Sequence, residues 1–199
     1  GVDFATLGPE EKCTGDPARR MGNEYLFAQL AQENIETLGQ YRFRKILVTC
    51  PHCLNSLGQD YRELGASYAV VHHSQLLAEL MAAGKVPLDA TKATGGSVTF
   101  HDPCYLGRYG RTVEPPREVL QRLGAKTVEM ERSGAKGFCC GAGGGRIFLE
   151  ETIGTRVNVA RTEQALATGA KTVAVGCPFC MTMITDGTKA KNVEGEVAV

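Results

Sequence analysis

The sequence carries no excess of charge. Its 22 basic and 22 acidic residues leave a formal net charge of +0, so the electrostatic footprint of a nucleic-acid binder or of a protein held on an anionic lipid surface is missing. Long apolar runs are missing too, whereas a helix that crosses a bilayer needs about 20 such residues. No basic, apolar and small-residue order opens the sequence as given, so nothing marks it for secretion and a reducing compartment is expected. Disorder is excluded by size and composition: 199 residues with 43% hydrophobic content can bury a core as one domain or two small ones.

What the sequence has in quantity is glycine and sulfur, with 24 Gly and eight Cys. In a reducing compartment such cysteines point to metal or redox chemistry rather than to a disulfide scaffold. They are not scattered. The stretch Gly137-Phe138-Cys139-Cys140-Gly141-Ala142-Gly143-Gly144-Gly145 sets two adjacent thiols before five residues without bulk. Glycine offers a core nothing to pack and costs conformational entropy, so this run reads as backbone that approaches a large ligand closely. Cys177-Pro178-Phe179-Cys180 downstream and Cys104 upstream, in His101-Asp102-Pro103-Cys104, join it, and five thiols are expected to meet.

In chain order, residues 2–7 alternate loosely and predict a short strand. Asp16-Pro17 supplies a cap and a first-turn proline for one helix over residues 16–38, burying Tyr25, Leu26, Leu30, Ile35 and Leu38. Residues 45–49 form an apolar run of buried parallel-strand type that hands over to Cys50-Pro51-His52-Cys53. A strand over 68–71 and a helix over 74–83 follow, and the polar stretch 91–97 reads as a connection. The second half predicts strands over 98–100, 127–130 and 171–175, helices over 115–123 and 146–166, and another helix opening at Cys177.

The two halves are copies. Val48–Leu54 falls on Val175–Met181, 127 residues later, and Thr14-Gly15 falls on Cys140-Gly141, which puts Cys13 in the place of Cys139. The expected fold is α/β: two tandem pseudosymmetric repeats, 1–94 and 95–199, each a small, mainly parallel sheet flanked by helices. A first-repeat counterpart of Cys104 would precede residue 1, and a second-repeat counterpart of the helix over 74–83 would follow residue 199. The expectation is therefore a piece of a longer chain.

Each second-repeat Cys is expected at a strand end or helix start, where amides and helix dipoles favour negative charge. Thiolates and cluster sulfides carry such charge, so iron–sulfur ligation fits both the cysteines and the glycines. A zinc ion suits the Cys177/Cys180 spacing, but vicinal cysteines serve one small ion badly; a thiol–disulfide site is the third reading. His101-Asp102 reads first as a turn capping the next segment and second as a pair that tunes a cluster or moves protons, His72-His73 as a packed or solvated pair, Met181 and Met183 as core or cover. Arg108 and Arg146 read equally as anion ligands or as surface residues.

Cys104, Cys139-Cys140-Gly141 and Cys177-x-x-Cys180 resemble the cysteine-rich CCG domain found in heterodisulfide reductase and in the iron–sulfur components of glycolate, lactate and glycerol-3-phosphate oxidation systems. Residues 11–24, with His101-Asp102-Pro103-Cys104 and residues 139–146, are most similar to the C-terminal part of bacterial membrane proteins that pass electrons from electron-transfer flavoprotein to menaquinone. The resemblance implies a non-cubane 4Fe-4S cluster on Cys104, Cys139, Cys140, Cys177 and Cys180. It also implies electron transfer from a flavoprotein or another redox subunit toward quinone, at the cytoplasmic side of a membrane reached through parts outside this chain. Reduction of a disulfide substrate is the enzymatic rival, and a zinc-stabilised interaction module the non-enzymatic one. The first repeat departs from the motif, because Thr14 stands where the second Cys of the pair belongs. Cys13, Cys50 and Cys53 remain, for which a simpler cluster, zinc or an empty site stay open.

Overall fold

The structure is a computed structural model that describes residues 2–88 and 96–199. The repeat boundary read between residues 94 and 95, and most of the connection read at 91–97, lie outside the described residues.

In the first half, β1 (Ile46–Val48) and β2 (Val70–His72) pair in parallel, Ile46 opposite Val70 and Val48 opposite His72. The crossover between them is α3 (Pro51–Gly58) and a 3-10 turn, Asp60–Leu64; α4 (His73–Ala82) follows β2. Helices α1 (Asp16–Arg20) and α2 (Glu24–Gly39) supply Ala18, Phe27, Ala31 and Leu38 to a core shared with Val48, Leu57 and Tyr61. In the second half, β3 (Ser97–His101) lies between β4 (Lys126–Thr127) and β5 (Thr172–Val175), all parallel. Helices α5 (Glu114–Arg122), α6 (Val157–Leu166) and α7 (Pro178–Ala190) complete it. Ala198 bridges Thr172 in parallel, so the chain end sits beside β5 as β2 sits beside β1. These are two small parallel sheets flanked by helices, the architecture expected of two α/β repeats.

Several sequence expectations are corrected. Residues 2–7 form no strand: they have no strand partner, and Val2 and Phe4 are exposed. The helix read over 16–38 is two helices, broken where Gly22 takes φ 84° and the Asn23 side chain accepts from Leu26 N–H as a new cap. The restart rotates the buried face onto Phe27, Ala31, Asn34 and Leu38, and leaves Tyr25 81% exposed. The helix read over 146–166 begins as a 3-10 turn, Arg146–Phe148, and becomes α-helical only at Val157. Glu151 causes the late start by accepting from Val157 N–H at 2.8 Å, after a turn at Gly154 with φ 68°. The strand read over 127–130 is only Lys126–Thr127.

Two contacts tie the architecture down. At the α6–α7 contact, a Cβ on Gly187 would overlap Thr162 Oγ1 and lie 3.1 Å from the Asn158 carbonyl. Between the halves, His72 Nε2–H donates to the Gly176 carbonyl at 2.9 Å, while its Nδ1 accepts from Ser74. Burial, and then His73, push the His72 pKa down to about 4.

Gly187→Ala is expected to lower stability by about 1–3 kcal/mol through overpacking, and Thr162→Ala in the same chain to restore most of it. Denaturant midpoints of the double-mutant cycle check this, and strictly additive losses would refute the contact. For His72, the folded pKa lies below the unfolded value near 6.5, so its contribution is complete above pH 6.5 and is lost as pH falls toward 4. From pH 7.5 to pH 5 the metal-free chain should lose about 2 kcal/mol on this account. His72→Gln should show a correspondingly smaller loss in the same urea titrations.

Candidate metal centre

Local sequence explains where each thiol stands. Cys50 follows β1 and caps α3, and Cys177 follows β5 and caps α7, each with proline in the first helical turn. Cys53 and Cys180 come one turn later on the same helical face, so each Cys-Pro-x-Cys projects two sulfurs past a helix N-terminus. The Cys-Cys-Gly turn depends on Gly141 at φ 93°, whose N–H folds back on Cys139 Sγ at 3.3 Å. A Cβ there would meet Val157 at 3.1 Å. The first half repeats the turn: Gly15 has φ 82° and its N–H meets Cys13 Sγ at 3.4 Å. That turn is pinned from behind by Asn34, which donates to the Cys13 carbonyl at 2.9 Å, and by the Tyr61 hydroxyl, which donates to the Thr14 carbonyl at 3.1 Å. Cys104 precedes a single π-helical turn, Tyr105–Tyr109, whose Arg108 donates to the Gly137 carbonyl at 2.6 Å and ties this segment to the Cys-Cys-Gly run.

The five second-repeat thiols come together. Cys104 neighbours Cys139, Cys139 neighbours Cys140, Cys140 neighbours Cys180, and Cys180 neighbours Cys177. The first-repeat thiols also gather: Cys50 neighbours Cys53, Cys13 lies within electrostatic reach of Cys53, and the Thr14 hydroxyl is 3.7 Å from Cys53 Sγ. Sequence reasoning treated these as two separate groups. They are joined, because Cys50 neighbours Cys177 in one buried cluster. Cys50 and Cys177 are the same residue of the two repeats, and so are His52 and Phe179, whose rings meet with centroids 4.9 Å apart. Residues that touch their own counterparts lie on the axis relating the copies, and a repeat with a stated offset was the signal that could have found this junction.

Burial and mutual hydrogen bonding divide the sulfurs. Cys139 is pulled below the ordinary thiol range because Cys104 and Cys140 donate to it, with the Gly141 and Gly143 amides adding to the effect. Cys50 is lowered by donation from Cys177 and Cys53. Cys104 and Cys53 rise as donors, Cys140 rises to about 11 by donating to Cys139, and Cys180 rises through Cys140, Cys177 and burial. For Cys177 the lowering effect of Cys180 is outweighed by donation to Cys50 and by burial, which together push it up to about 12. Only a multivalent positive group could hold all these sulfurs as thiolates at neutral pH.

Two functional candidates were missed or misread. Asp102 does act as a turn cap, accepting from Gly134 N–H at 2.6 Å and from both Arg117 terminal nitrogens at 2.8 and 3.0 Å. Its neighbour His101 is different. It is 0% exposed, a ring nitrogen lies within 4.8 Å of the Cys140 and Cys180 sulfurs, and its Nε2 has no partner among the described residues. Its Nδ1 accepts from Arg161 Nε at 2.9 Å, and burial with Arg161 lowers its pKa to about 3. Arg161, on α6, is also 0% exposed with Nη2 unpartnered. Its only sequence signal is an arginine on a helix face otherwise made of Asn158, Thr162 and Ala165. Of the other candidates, Arg146 pairs with Glu151 at the surface, Met183 lies in the sulfur-lined core, and Met181 is half exposed. The glycine run is packed at its end: a Cβ on Gly145 would overlap the Met21 side chain, which brings the α1–α2 break onto the second repeat's loop.

The donor set is therefore all sulfur, soft and more numerous than one tetrahedral ion can use, with two buried hydrogen-bond donors beside it that lack acceptors. It fits an anionic cluster of iron and sulfide. A probable iron–sulfur-binding oxidoreductase of Bacillus subtilis, FadF, is 48% identical over 202 residues, 99% of this chain and 28% of that protein. The EtfAB:quinone oxidoreductase of Syntrophomonas wolfei is 43% identical over 100% of this chain and 29% of its own length. One polypeptide of the dihydromethanophenazine:CoB–CoM heterodisulfide reductase of Methanosarcina barkeri is 36% identical over 96% of this chain and 48% of its own. The chain thus spans less than a third of the first two relatives and about half of the third. The sequence pattern of the cysteine-rich domain, CCG, matches residues 1–58 and 98–185, and the chain belongs to that family.

Proposed function

We propose that this chain binds an iron–sulfur cluster through Cys104, Cys139, Cys140, Cys177 and Cys180 and serves as the electron-transfer part of a larger oxidoreductase. The observation that carries the reading is the unbroken run of five neighbouring sulfurs in the interior, with the Gly141 amide folded onto Cys139. Such a cluster supplies reversible one-electron transfer. The protein supplies the rest. Cys139 accepts the Gly141 and Gly143 amides, which favours negative charge on sulfur. Val173, Met183 and Ile184 keep water from the Cys140, Cys177 and Cys180 side. His52 and Phe179 pack edge-on beside the Cys50–Cys177 junction.

Five cysteines in one repeat favour the non-cubane form there. The other repeat offers only Cys13, Cys50 and Cys53, with the Thr14 hydroxyl on Cys53, so a simpler cluster, zinc or no metal is assigned to it. This assignment takes the chain as repeats 1–94 and 95–199. The relatives named for EtfAB, quinone and iron–sulfur oxidoreduction share more identity with this chain than the heterodisulfide reductase polypeptide does. A flavoprotein donor and a quinone acceptor are therefore preferred over a disulfide substrate. Among the described residues no helix is long and apolar enough to cross a membrane, and contact with a membrane on its cytoplasmic side would come through other parts of the parent protein.

Anaerobically purified chain should be brown and contain iron and acid-labile sulfide, whereas a colourless protein with stoichiometric zinc would overturn the proposal. Cys140→Ala should remove or convert the second-repeat cluster in iron analysis and electron paramagnetic resonance. Thr14→Ala should leave metal content nearly unchanged and cost about 1 kcal/mol at most, because it removes one hydrogen bond to sulfur. In the full-length parent, reduced flavoprotein with menaquinone should support turnover; turnover with a heterodisulfide alone would reject the preferred partners.

A further inference from the structure

Arg161 and His101 are the buried polar pair that the ligand set does not use. Arginine has donors only, so at 2.9 Å from Arg161 Nε the His101 Nδ1 must be the acceptor. A neutral imidazole has one acceptor and one donor nitrogen, which puts the remaining hydrogen on Nε2. That nitrogen is buried, has no protein acceptor among the described residues, and belongs to the imidazole that stands with the Cys140 and Cys180 sulfurs. A nitrogen that carries hydrogen has no lone pair to give a metal.

The arginine is unusual in its own right. A guanidinium with 0% exposure costs several kcal/mol unless a negative charge compensates it. Its acceptors are all neutral: His101 Nδ1, the Arg132 carbonyl at 2.9 Å and Gln164 Oε1 at 2.9 Å, with Nη2 left unpartnered. Asp102 is the nearest carboxylate influence, but its oxygens are taken by Arg117 and Gly134. The other negative influences on Arg161 are Cys180 and Cys140.

The geometry points to a locked donor: Arg161 holds His101 in the Nε2–H form, and His101 gives that hydrogen to a sulfur of the cluster that Cys140 and Cys180 hold, without ligating metal. The inference rests on the cluster reading for its acceptor, but the tautomer does not. A donated hydrogen with a cation behind it favours the more negative state of the acceptor, so the pair raises the reduction potential. His101 and Arg161 are positioning residues that set this potential.

In the metal-free chain, two-bond 1H–15N spectra should give His101 an unprotonated Nδ1 and a protonated Nε2; the opposite tautomer overturns the inference whatever the chain binds. In the loaded chain, His101→Leu should keep its iron and move the reduction equilibrium about tenfold toward the oxidised form, about 59 mV for one electron. His101→Gln, which restores an N–H donor, should recover part of that shift. An unchanged potential in His101→Leu, or a nitrogen coupling in pulsed paramagnetic resonance as strong as that of a directly bound imidazole, overturns it. A chain that takes up no iron defeats the cluster reading instead, and the tautomer measurement tells the two failures apart.

Discussion

Sulfur atoms gathered in a protein interior impose one constraint: they cannot all be charged without a cation and are not well served as neutral thiols. Cys50, Cys53, Cys104, Cys139, Cys140, Cys177 and Cys180 make a continuous line of neighbouring sulfurs, and the surroundings answer it. Helix starts and positive-φ glycines turn amides toward sulfur, and the buried cation of Arg161 stands close by rather than at the surface. The same line forms part of the hydrophobic core, with Val173, Ile184, Met130 and Ala165 packed around it. Stability and chemistry thus depend on the same atoms.

Much of this was legible. The apolar runs before Cys50 and Cys177 became the parallel strands β1 and β5, although β1 is covered on one face only, with Leu47 half exposed. The Cys-Pro-x-Cys turns became helix starts, because proline in the first helical turn gives up an amide that has no partner there. The Cys13-Thr14-Gly15 equivalence was readable from the repeat and is matched by the Gly15 and Gly141 turns, with sulfur contacts of 3.4 and 3.3 Å.

The misreadings have a common cause in side chains that end or start helices from a distance. A 3.6-residue pattern continues through Met21-Gly22-Asn23, but Asn23 caps a fresh helix. Propensity runs through residues 146–166, but Glu151 reaches forward to Val157. The pairing of His101 with Arg161 was illegible for a stronger reason. They are 60 residues apart and acquire meaning only where the end of β3 faces α6. A histidine beside an aspartate invites a turn assignment, and here Asp102 fulfils it alone.

The meeting of Cys50 with Cys177, and of His52 with Phe179, is the contact pattern of an isologous dimer in which a residue faces its own copy across a twofold axis. A single repeat paired with itself would form this junction between two separate, identical chains. Joining the copies in one chain removes the requirement that both be alike. Thr14 stands in one half at the place that Cys140 holds in the other, so one chain carries two unlike sulfur sites on the axis that both copies share.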